Sequence, residues 1–423
     1  ELEMKAIYSN KSITDPSLVN SVGKGTFIQT FNYYVNPQLK FFKDSLVSLR
    51  KKEDDLVLPV SEIKVMKDRK KWRETFILDR GNYDAPTTKV YPSSLNAVMP
   101  YPANYPKNRL GLAKWITSPE NPIVARVAVN RYWQLIFGNG LVASSSDFGN
   151  QGNLPTNPQL LDWLAVKFIQ SGWDLKALMR LIVNSQTYQQ SAKITKDKLD
   201  ADPQNLYLSR SPRYRYNYEI IRDNALSASG LLNERIGGPS FKPYQQPGLW
   251  EEKSSSPVNN YYEEDDAPEI YRRSMYIFIK RTSPHPAFNT FDGADRFTCQ
   301  IKRQNTNTPL QALTARNDPQ FVEAARVLAQ NSLSMLPEKD IQKTIAYAFR
   351  KCLSRMPNTK ETAILSKVYA NEKGKFIKEP AKAKKLIATG KYKVDPTLDP
   401  IQLASMTVVC QTIFNLDEAI SRE

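Results

Sequence analysis

The stretch that decides the fold is NPIVARVAVNRYWQLIFGNGLV (121–142), followed by SSSDFGNQGNLPTNPQLLDWLAVKFIQSGW (144–173). In the first part, Pro122 stands in the first turn of a helical pattern that Gly138 ends. In the second part, Asn157 before a proline starts another helix with an inward apolar stripe. The segment between them is dense in Asn, Asp, Gly and Gln. This stretch therefore predicts two amphipathic helices around a polar loop.

Helical spacing and capping signals recur through the rest of the chain, whereas strand signals are few. Only the short extended piece 75–78 and SMYIFIK (274–280) are typical of strands. We therefore predict a fold that is mainly α with minor β, a multi-helix globular domain with long ordered loops and a short strand element. Further helices are predicted at 174–182, 218–232, 308–317, 321–333, 341–353, 361–370 and 400–420.

The length of 423 residues exceeds what one hydrophobic core usually serves, so several segments are expected. Residues 1–58 are predicted to form a connecting helix that follows an upstream region. Residues 59–106 are rich in proline and are expected to form an extended wrap. A helical core domain is predicted at 107–330 and a carboxy-terminal helical subdomain at 331–423.

The formal net charge of +16 raises the question of a polyanionic partner. The segment 367–393 carries nine Lys against two Glu, but it lacks the interleaved aromatic residues of a base-stacking surface. No nucleic-acid-binding motif occurs, so nucleic acid is disfavoured as a partner. An acidic glycan, an anionic cell surface or an acidic protein would use the same electrostatics. No apolar run reaches the roughly 18 to 20 residues that span a bilayer, so no transmembrane segment is predicted.

The cysteine and histidine content limits the chemistry. The three cysteines, Cys299, Cys352 and Cys410, are far apart and form neither a C-x-x-C nor a C-x-x-C-H spacing. His285 is the single histidine, and it lies between prolines in a predicted loop. We expect no metal site and no cofactor within this chain.

Several motifs, taken in order, resemble one family, and they cover the chain from about residue 30 to its end. They are RLGLAKWITSPENPIVARVAVNRYWQLIFGNGLV (109–142), SSDFGNQGNLPTNPQLLDWLA (145–165), SGWDLKALMRLIVNSQTYQQS (171–191), YRRSMYIFIKRTSPHPAFNTFDGADRFTC (271–299) and KRQNTNTPLQAL (302–313). In these residues the chain resembles the cytochrome c-associated carboxy-terminal family of planctomycete and Bacteroidetes-type proteins, domain of unknown function 1553.

The resemblance implies a context more than a mechanism. Family members commonly carry a signal peptide, an amino-terminal c-type cytochrome domain with haem c, and a second uncharacterised domain ahead of this one. The resemblance therefore implies a periplasmic or outer-surface location, other domains or subunits of the same extracytoplasmic system as partners, and a role in electron transfer or polysaccharide breakdown. It supplies no catalytic residues, so the catalytic residues are unknown.

The first group of candidate residues lies on and after the helix of the opening stretch. Arg131 and Trp133 place a charge and an indole on a helix that otherwise resembles core. The nearby Asp147 is a natural ion-pair partner for Arg131 or Arg126. Two interpretations stay open: an internal ion-pair network that fastens the loop to the helices, and a ligand site.

The second group, Asp292, Arg296, Arg303, Asn307 and Gln311, combines carboxylate, guanidinium and amide groups just before a predicted helix. Free amides at a helix start can hold an anion or a substrate hydroxyl, yet Asn and Thr at that place are also ordinary capping residues. The same segment contains Asp295, Lys302, Asn305, Thr306 and Thr308.

Our leading hypothesis is a non-catalytic helical scaffold or interaction domain of an extracytoplasmic, cytochrome c-associated multidomain protein. The alternative is a carbohydrate-active enzyme or oxidoreductase whose site lies near 292–311 and Asp147. Convergence of Arg131, Asp147, Arg296 and Asn307 on an open, aromatic-lined pocket would favour the enzyme. Complete pairing of those side chains inside the protein would favour the scaffold.

Overall fold

The computed structural model describes residues 65–69, 71–246, 248–250, 262–294, 296–335 and 340–422, together with residues 41, 42, 44–46, 48, 49, 52, 53 and 56. The chain divides into two compact units, Glu1–Pro92 and Ser93–Glu423. The described residues between 41 and 56 are helical. The rest of the predicted connecting segment 1–58 lies outside the described residues.

The first unit contains an antiparallel hairpin of β1 (Thr75–Leu78) and β2 (Pro86–Val90). The strands are joined through a single 3₁₀ turn, Asp79–Gly81, and the backbone N–H of Asp79 bonds the carbonyl of Ala85 at 2.9 Å. The strand expected at 75–78 is thereby confirmed.

The second unit is helical, and the prediction of a mainly α fold with minor β is confirmed. Two 3₁₀ turns, Glu269–Tyr271 and Ser274–Tyr276, lie between the longer elements. The other elements are α1 (Arg109–Ile116), α2 (Val124–Phe137), α3 (Pro158–Gln170), α4 (Leu175–Val183), α5 (Lys196–Ala201), β3 (Tyr214–Arg215), α6 (Tyr218–Ser229), α7 (Pro286–Thr290), α8 (Pro309–Asn317), α9 (Pro319–Met335), α10 (Ile341–Leu353), α11 (Thr359–Lys378), α12 (Pro380–Ile387), α13 (Pro400–Phe414), α14 (Asp417–Ile420) and β4 (Ser421–Arg422).

Local capping explains where the helices of the opening stretch begin and end. The Asn157 side chain accepts the Leu160 N–H at 3.0 Å and starts α3. Gly138 ends α2 with φ of +78°, a conformation that favours glycine. The Asn121 side chain accepts N–H groups ahead of α2, so this helix begins at Val124.

Two hydrophobic cores stabilise the second unit. The smaller core joins α2, α3 and α4 through residues such as Val129, Leu164 and Ile182. The larger core runs from Tyr218 in α6 to Ile420 in α14. Its centre is α13, which packs against α9, α11 and α12. Residues of both predicted segments, 107–330 and 331–423, share this larger core.

The strand predicted for SMYIFIK (274–280) is wrong. Residues 274–276 form a 3₁₀ turn, and Ile277 makes one isolated bridge with Phe241. The reason is a tertiary contact: the backbone N–H and hydroxyl of Ser274 both donate to the Asp223 carboxylate, at 2.8 and 2.6 Å. This pairing fixes the segment to α6. The short strands β3 and β4 pair instead, and the sequence did not indicate them.

Candidate functional site

The first group of predicted residues does not form the expected ion pair. Arg131 is exposed and makes no ion pair within the part of the chain that the structure describes. The Asp147 carboxylate accepts the Gly149 N–H at 2.8 Å, and Arg126 pairs with Asp162 at 2.6 Å. The predicted pairing of Asp147 with Arg131 or Arg126 is therefore wrong, because both arginines point elsewhere.

Asn130, one position before Arg131, fastens the polar loop to α2. Its amide oxygen accepts the Val142 N–H at 2.8 Å, and its amide nitrogen donates to the Val142 carbonyl at 3.0 Å. A Cβ at Gly140 would lie 2.5 Å from the Asn130 side chain, so the loop needs glycine at this close approach. The loop is therefore held by a neutral amide.

Trp133 faces the small core and an open groove of about 710 Å³. Its ring centroid lies 4.4 Å from that of Phe137. The groove also contains Trp163, whose side chain is 48% exposed, and Arg180. Trp133 is thus the residue of the first group that lines this groove.

The second group forms what we call the 292–311 network, made of Asp292, Arg303, Thr306 and Gln311 together with Glu219 of α6. Asp292 accepts both the N–H and the hydroxyl of Thr306, at 2.7 and 2.8 Å. Arg303 binds Glu219 through two hydrogen bonds of 2.9 and 2.8 Å. Gln311 donates to the Thr306 hydroxyl at 3.2 Å. Within the network, the Arg303 guanidinium is therefore paired with Glu219, and the Asp292 carboxylate with Thr306.

The remaining residues of the second group lie at the edge of this network. Asn307 accepts a hydrogen bond from Arg215 of β3. Arg296 is exposed with φ of +64°. Asp295 lies outside the described residues. No hydrogen bond or ion pair joins Arg131 or Asp147 to the described residues of the second group, so the two predicted groups are not brought together as one site.

A different set of residues surrounds two cavities of about 340 Å³ each, which share Tyr244 and Pro319 as lining residues. We call them the Tyr244 cavities. The His285 cavity is lined by polar side chains that include Gln245, His285, Asn317 and Asp318. The Glu323 cavity is lined by Arg222, Glu264, Tyr271, Gln320, Glu323 and Lys391.

Asp318 lies at the junction of α8 and α9. Its backbone N–H bonds the Thr314 carbonyl at 2.9 Å, and its carboxylate accepts the Gln320 N–H, also at 2.9 Å. Burial raises the pKa of Asp318 to about 6, against the opposing influence of Gln320 and Arg222. The carboxyl group therefore changes its protonation state near pH 6.

His285 is 4% exposed, and both of its ring nitrogens are used. Nε2 lies 2.8 Å from the Tyr244 carbonyl, which can only accept, so Nε2 carries the proton. Nδ1 accepts the Ala287 N–H at 3.3 Å. Burial lowers the pKa of His285 to about 4. His285 is therefore a neutral side chain that positions Tyr244.

Arg222 of α6 is fully buried and orders the wall of the Glu323 cavity. Its guanidinium donates to the Gln320 amide oxygen at 2.7 Å, to the Arg272 carbonyl at 3.0 Å and to the Ile270 carbonyl at 2.5 Å. Burial lowers its pKa from the ordinary value. Because the amide oxygen of Gln320 is held by Arg222, the amide nitrogen is directed away from this arginine.

Two buried donors that line these cavities have no hydrogen-bond partner among the described residues: the Gln245 Nε2 and the Gln320 Nε2. The same holds for the hydroxyl of Tyr218, whose ring stacks on His285 at a centroid distance of 6.2 Å. Tyr218 is 0% exposed, and burial together with Asp318 raises the pKa of its hydroxyl far above the ordinary range. Buried unpaired donors are rare in folded proteins and each calls for an explanation. They distinguish the Tyr244 cavities from the 292–311 network.

Sequence reasoning missed this site. Asp318 was interpreted only as a helix start, Tyr218 only as a helical residue and His285 as a loop histidine. Each interpretation is locally correct, but the three residues come from separate segments: His285 and Asp318 line one cavity with Tyr244, and Tyr218 stacks on His285. A polar or aromatic residue at each helix start was the only signal in the sequence, and it also fits plain capping.

No group of three His, Cys, Asp or Glu side chains among the described residues is arranged to hold a metal ion. No described helix is long and apolar enough to cross a membrane.

The fold and the cavities define a mainly helical globular domain with a small, partly closed polar site. Residues 108–369 match the sequence profile of PSD1, a protein family of unknown function (DUF1553). The chain belongs to this family, and the resemblance is confirmed. Tyr218, Tyr244, His285 and Asp318 all lie within the matched range. No curated protein and no solved structure matches the chain.

Proposed function

We propose that the chain is a non-catalytic helical scaffold and interaction domain of an extracytoplasmic, cytochrome c-associated multidomain protein. In this role it holds other domains or subunits of the same system in place and serves polysaccharide utilisation or electron transfer. Membership of the DUF1553 family supports this context, through the domain organisation that the family resemblance implies.

The observation that carries the proposal is the internal pairing of the 292–311 network. Its carboxylates and guanidinium, which an enzyme site would direct at a substrate, bind other protein groups instead. Arg303 and Glu219 form a two-bond ion pair, and Asp292 is occupied by Thr306. Groups that are paired in this way stabilise an arrangement of segments, which is the task of a scaffold.

The surface of α11 and α12 supports an acidic glycan as one partner. The inward residues of these helices, such as Leu365 and Ile387, belong to the larger core. The exposed lysines on the other side include Lys367, Lys384 and Lys385, which make no ion pair with any described residue. Such a face attracts polyanions with a strength that falls as salt rises.

Binding of the full chain to a sulfated, a carboxylated and a neutral polysaccharide tests this partner. The triple variant Lys367→Glu, Lys384→Glu, Lys385→Glu should lose about tenfold or more in affinity for the two acidic polymers. The matched control reverses three exposed lysines elsewhere, Lys107, Lys176 and Lys193, and should lose much less. Equal losses in both variants, or equal binding of the neutral polymer, would contradict the proposal.

The cytochrome association is tested on the intact protein from its native source. A c-type haem absorption spectrum in the purified protein is the expected result. A haem-free intact protein would remove the electron-transfer part of the proposal and leave the glycan part standing.

The alternative function, a carbohydrate-active enzyme or oxidoreductase, is favoured by one observation. Asp318 borders a cavity and has a pKa of about 6, which suits general acid or base catalysis. For this alternative we propose the Tyr244 cavities as the site, in place of the predicted 292–311 region and Asp147. Release of reducing ends from a polysaccharide panel, abolished by Asp318→Asn and kept by Asp147→Asn, would establish it over the scaffold.

A further inference from the structure

We propose that the His285 cavity binds one neutral, polyhydroxylated ligand of single-ring size, held by Gln245 and Asp318. The inference goes beyond the scaffold function, because it depends neither on the lysine face of α11 and α12 nor on any haem domain.

Gln245 brings an unpaired hydrogen-bond donor to the His285 cavity. Gln245 is 8% exposed, lines the cavity, and has an amide nitrogen without a partner among the described residues. A buried donor in this state lowers stability, so a ligand that supplies an acceptor oxygen recovers the lost hydrogen bond. His285 cannot play this part, because both of its nitrogens are already bonded.

Asp318 brings a hydrogen-bond acceptor to the same cavity. One carboxylate oxygen of Asp318 accepts the Gln320 N–H, and a carboxylate has about four lone-pair directions. The Gln320 side chain also acts on this carboxyl group, and the lone pairs that remain can accept a ligand hydroxyl. A group that both donates to Asp318 and accepts from Gln245 is a hydroxyl, and several hydroxyls on one ring satisfy both residues together.

The charge of the residues that line the His285 cavity favours a neutral ligand. No Lys or Arg occurs among the described residues that line the His285 cavity. The cations of the neighbouring Glu323 cavity are already engaged: Arg222 with Gln320 and backbone carbonyls, and Lys391 with Asp266 at 2.8 Å. An anionic ligand would meet Asp318 without a counter-charge, so a neutral ligand is preferred.

The His285 cavity has the size and the apolar wall that a sugar-like ring requires. The cavity volume of about 340 Å³ lies near the lower end of the range of small-molecule sites. Tyr244, Pro286, Leu310 and Leu313 supply apolar wall next to the polar groups. The C–H faces of a sugar-like ring fit such a wall, while its hydroxyls reach Gln245 and Asp318.

Ligand-observed saturation-transfer NMR on the full chain tests the inference. The probes are glucose, galactose, mannose, xylose and inositol, with glucuronate and inorganic phosphate as anionic counterparts. At least one neutral probe should receive saturation, and the two anions should receive less. Absence of transfer to every neutral probe, or stronger transfer to the anions, would overturn the inference.

Two variants locate the binding. Gln245→Leu should weaken the best neutral probe by about tenfold, because it removes the unpaired donor. Leu313→Trp should block the cavity without touching the core, since Leu313 is 56% exposed. The control Gln342→Leu changes an exposed glutamine of α10 and should leave binding intact.

Unfolding midpoints show whether each variant is folded. If Gln245→Leu unfolds, Leu313→Trp decides alone. Unchanged binding in a folded Leu313→Trp protein would sink the inference. Retention of the acidic polysaccharide in Leu313→Trp, by contrast, would show that the lysine face acts separately, so failure of one proposal is distinguishable from failure of the other.

Discussion

The 292–311 network and the Tyr244 cavities are built from the same kinds of side chains, but they use them in opposite ways. In the network, Asp292, Arg303 and Gln311 all bind protein partners. In the cavities, Gln245 and Gln320 each have a donor without a partner among the described residues, and so does Tyr218, which stacks on His285. The comparison teaches that a polar cluster indicates a ligand site when its groups are left unpaired, and a fastening when they are paired.

The largest effect is expected at Arg222, which belongs to the ordered wall of the Glu323 cavity. Arg222→Met should lower the free energy of unfolding by about 3–5 kcal/mol, because it leaves buried carbonyls of Ile270 and Arg272 without a donor. Urea denaturation measures the change. Arg131→Met, at an exposed position, is the control and should stay within about 0.5 kcal/mol.

If Arg222→Met cost no more than the control, the wall would not depend on its buried guanidinium. The cavities would then be a loosely packed region, and the contrast with the paired network would lose its meaning.

The second effect is the pH dependence of the free energy of unfolding. His285 and Asp318 contribute to it with opposite sign. The pKa of His285 falls from 6.5 in the unfolded chain to about 4, so its contribution to stability is present above pH 6.5 and is lost as pH falls toward 4. The pKa of Asp318 rises from 3.8 to about 6, so its contribution is present below pH 3.8 and is lost as pH rises through 6. Between pH 4 and 6, the stability that His285 adds as pH rises offsets the stability that Asp318 loses.

Asp318→Asn removes one of the two contributions while keeping a side chain that can cap α9. Relative to the parent protein, this variant should gain about 2–3 kcal/mol of stability between pH 4 and pH 7. His285→Gln should change the pH dependence with the opposite sign. Urea titrations at several pH values measure both. Parallel curves for all three proteins would rule out burial of these two titrating groups.

The third effect tests the paired network. Asp292→Ala should cost about 2 kcal/mol, because Thr306 loses its acceptor and alanine must adopt φ of +56°. Asp292→Asn is the control: it keeps an acceptor oxygen and tolerates this conformation, so most of the loss should be absent. Thermal or urea unfolding measures both variants. An equal loss in the two would show that the charge, and not the hydrogen bond, matters.

Much of the fold could be predicted because helix signals act over a few residues. Asn157, Gly138 and Asp174 start or end helices through contacts within four positions, and all three were interpreted correctly. The segment 274–280 failed because its decisive contact, with Asp223, comes from 51 positions away in the chain. Apolar alternation describes a residue's burial but not the partner to which its backbone bonds.

The candidate site was less predictable for a related reason. Neighbouring positions on a helix point about 100° apart, so Asn130 faces the loop while Arg131 faces solvent. The sequence marks that turn of α2 as polar, but the expected pairing of Arg131 with Asp147 is not the contact that holds the loop. The Tyr244 cavities combine α6, α7, the α8–α9 junction and an irregular segment, and their unpaired donors become visible only once those segments are packed together.

The smallest effect compares two buried tyrosines that differ in one hydrogen bond. The Tyr271 hydroxyl donates to Glu323 at 2.8 Å, whereas the Tyr218 hydroxyl has no partner among the described residues. Tyr271→Phe should destabilise the protein by about 1 kcal/mol, because a buried carboxylate loses a donor. Tyr218→Phe should be neutral or stabilise it by up to about 1 kcal/mol, because an unpaired hydroxyl is removed at constant shape. Urea midpoints at one pH measure both. Should Tyr218→Phe cost as much as Tyr271→Phe, its hydroxyl is paired in solution, and a bound water or ligand already occupies the place that the cavity comparison assigns to it.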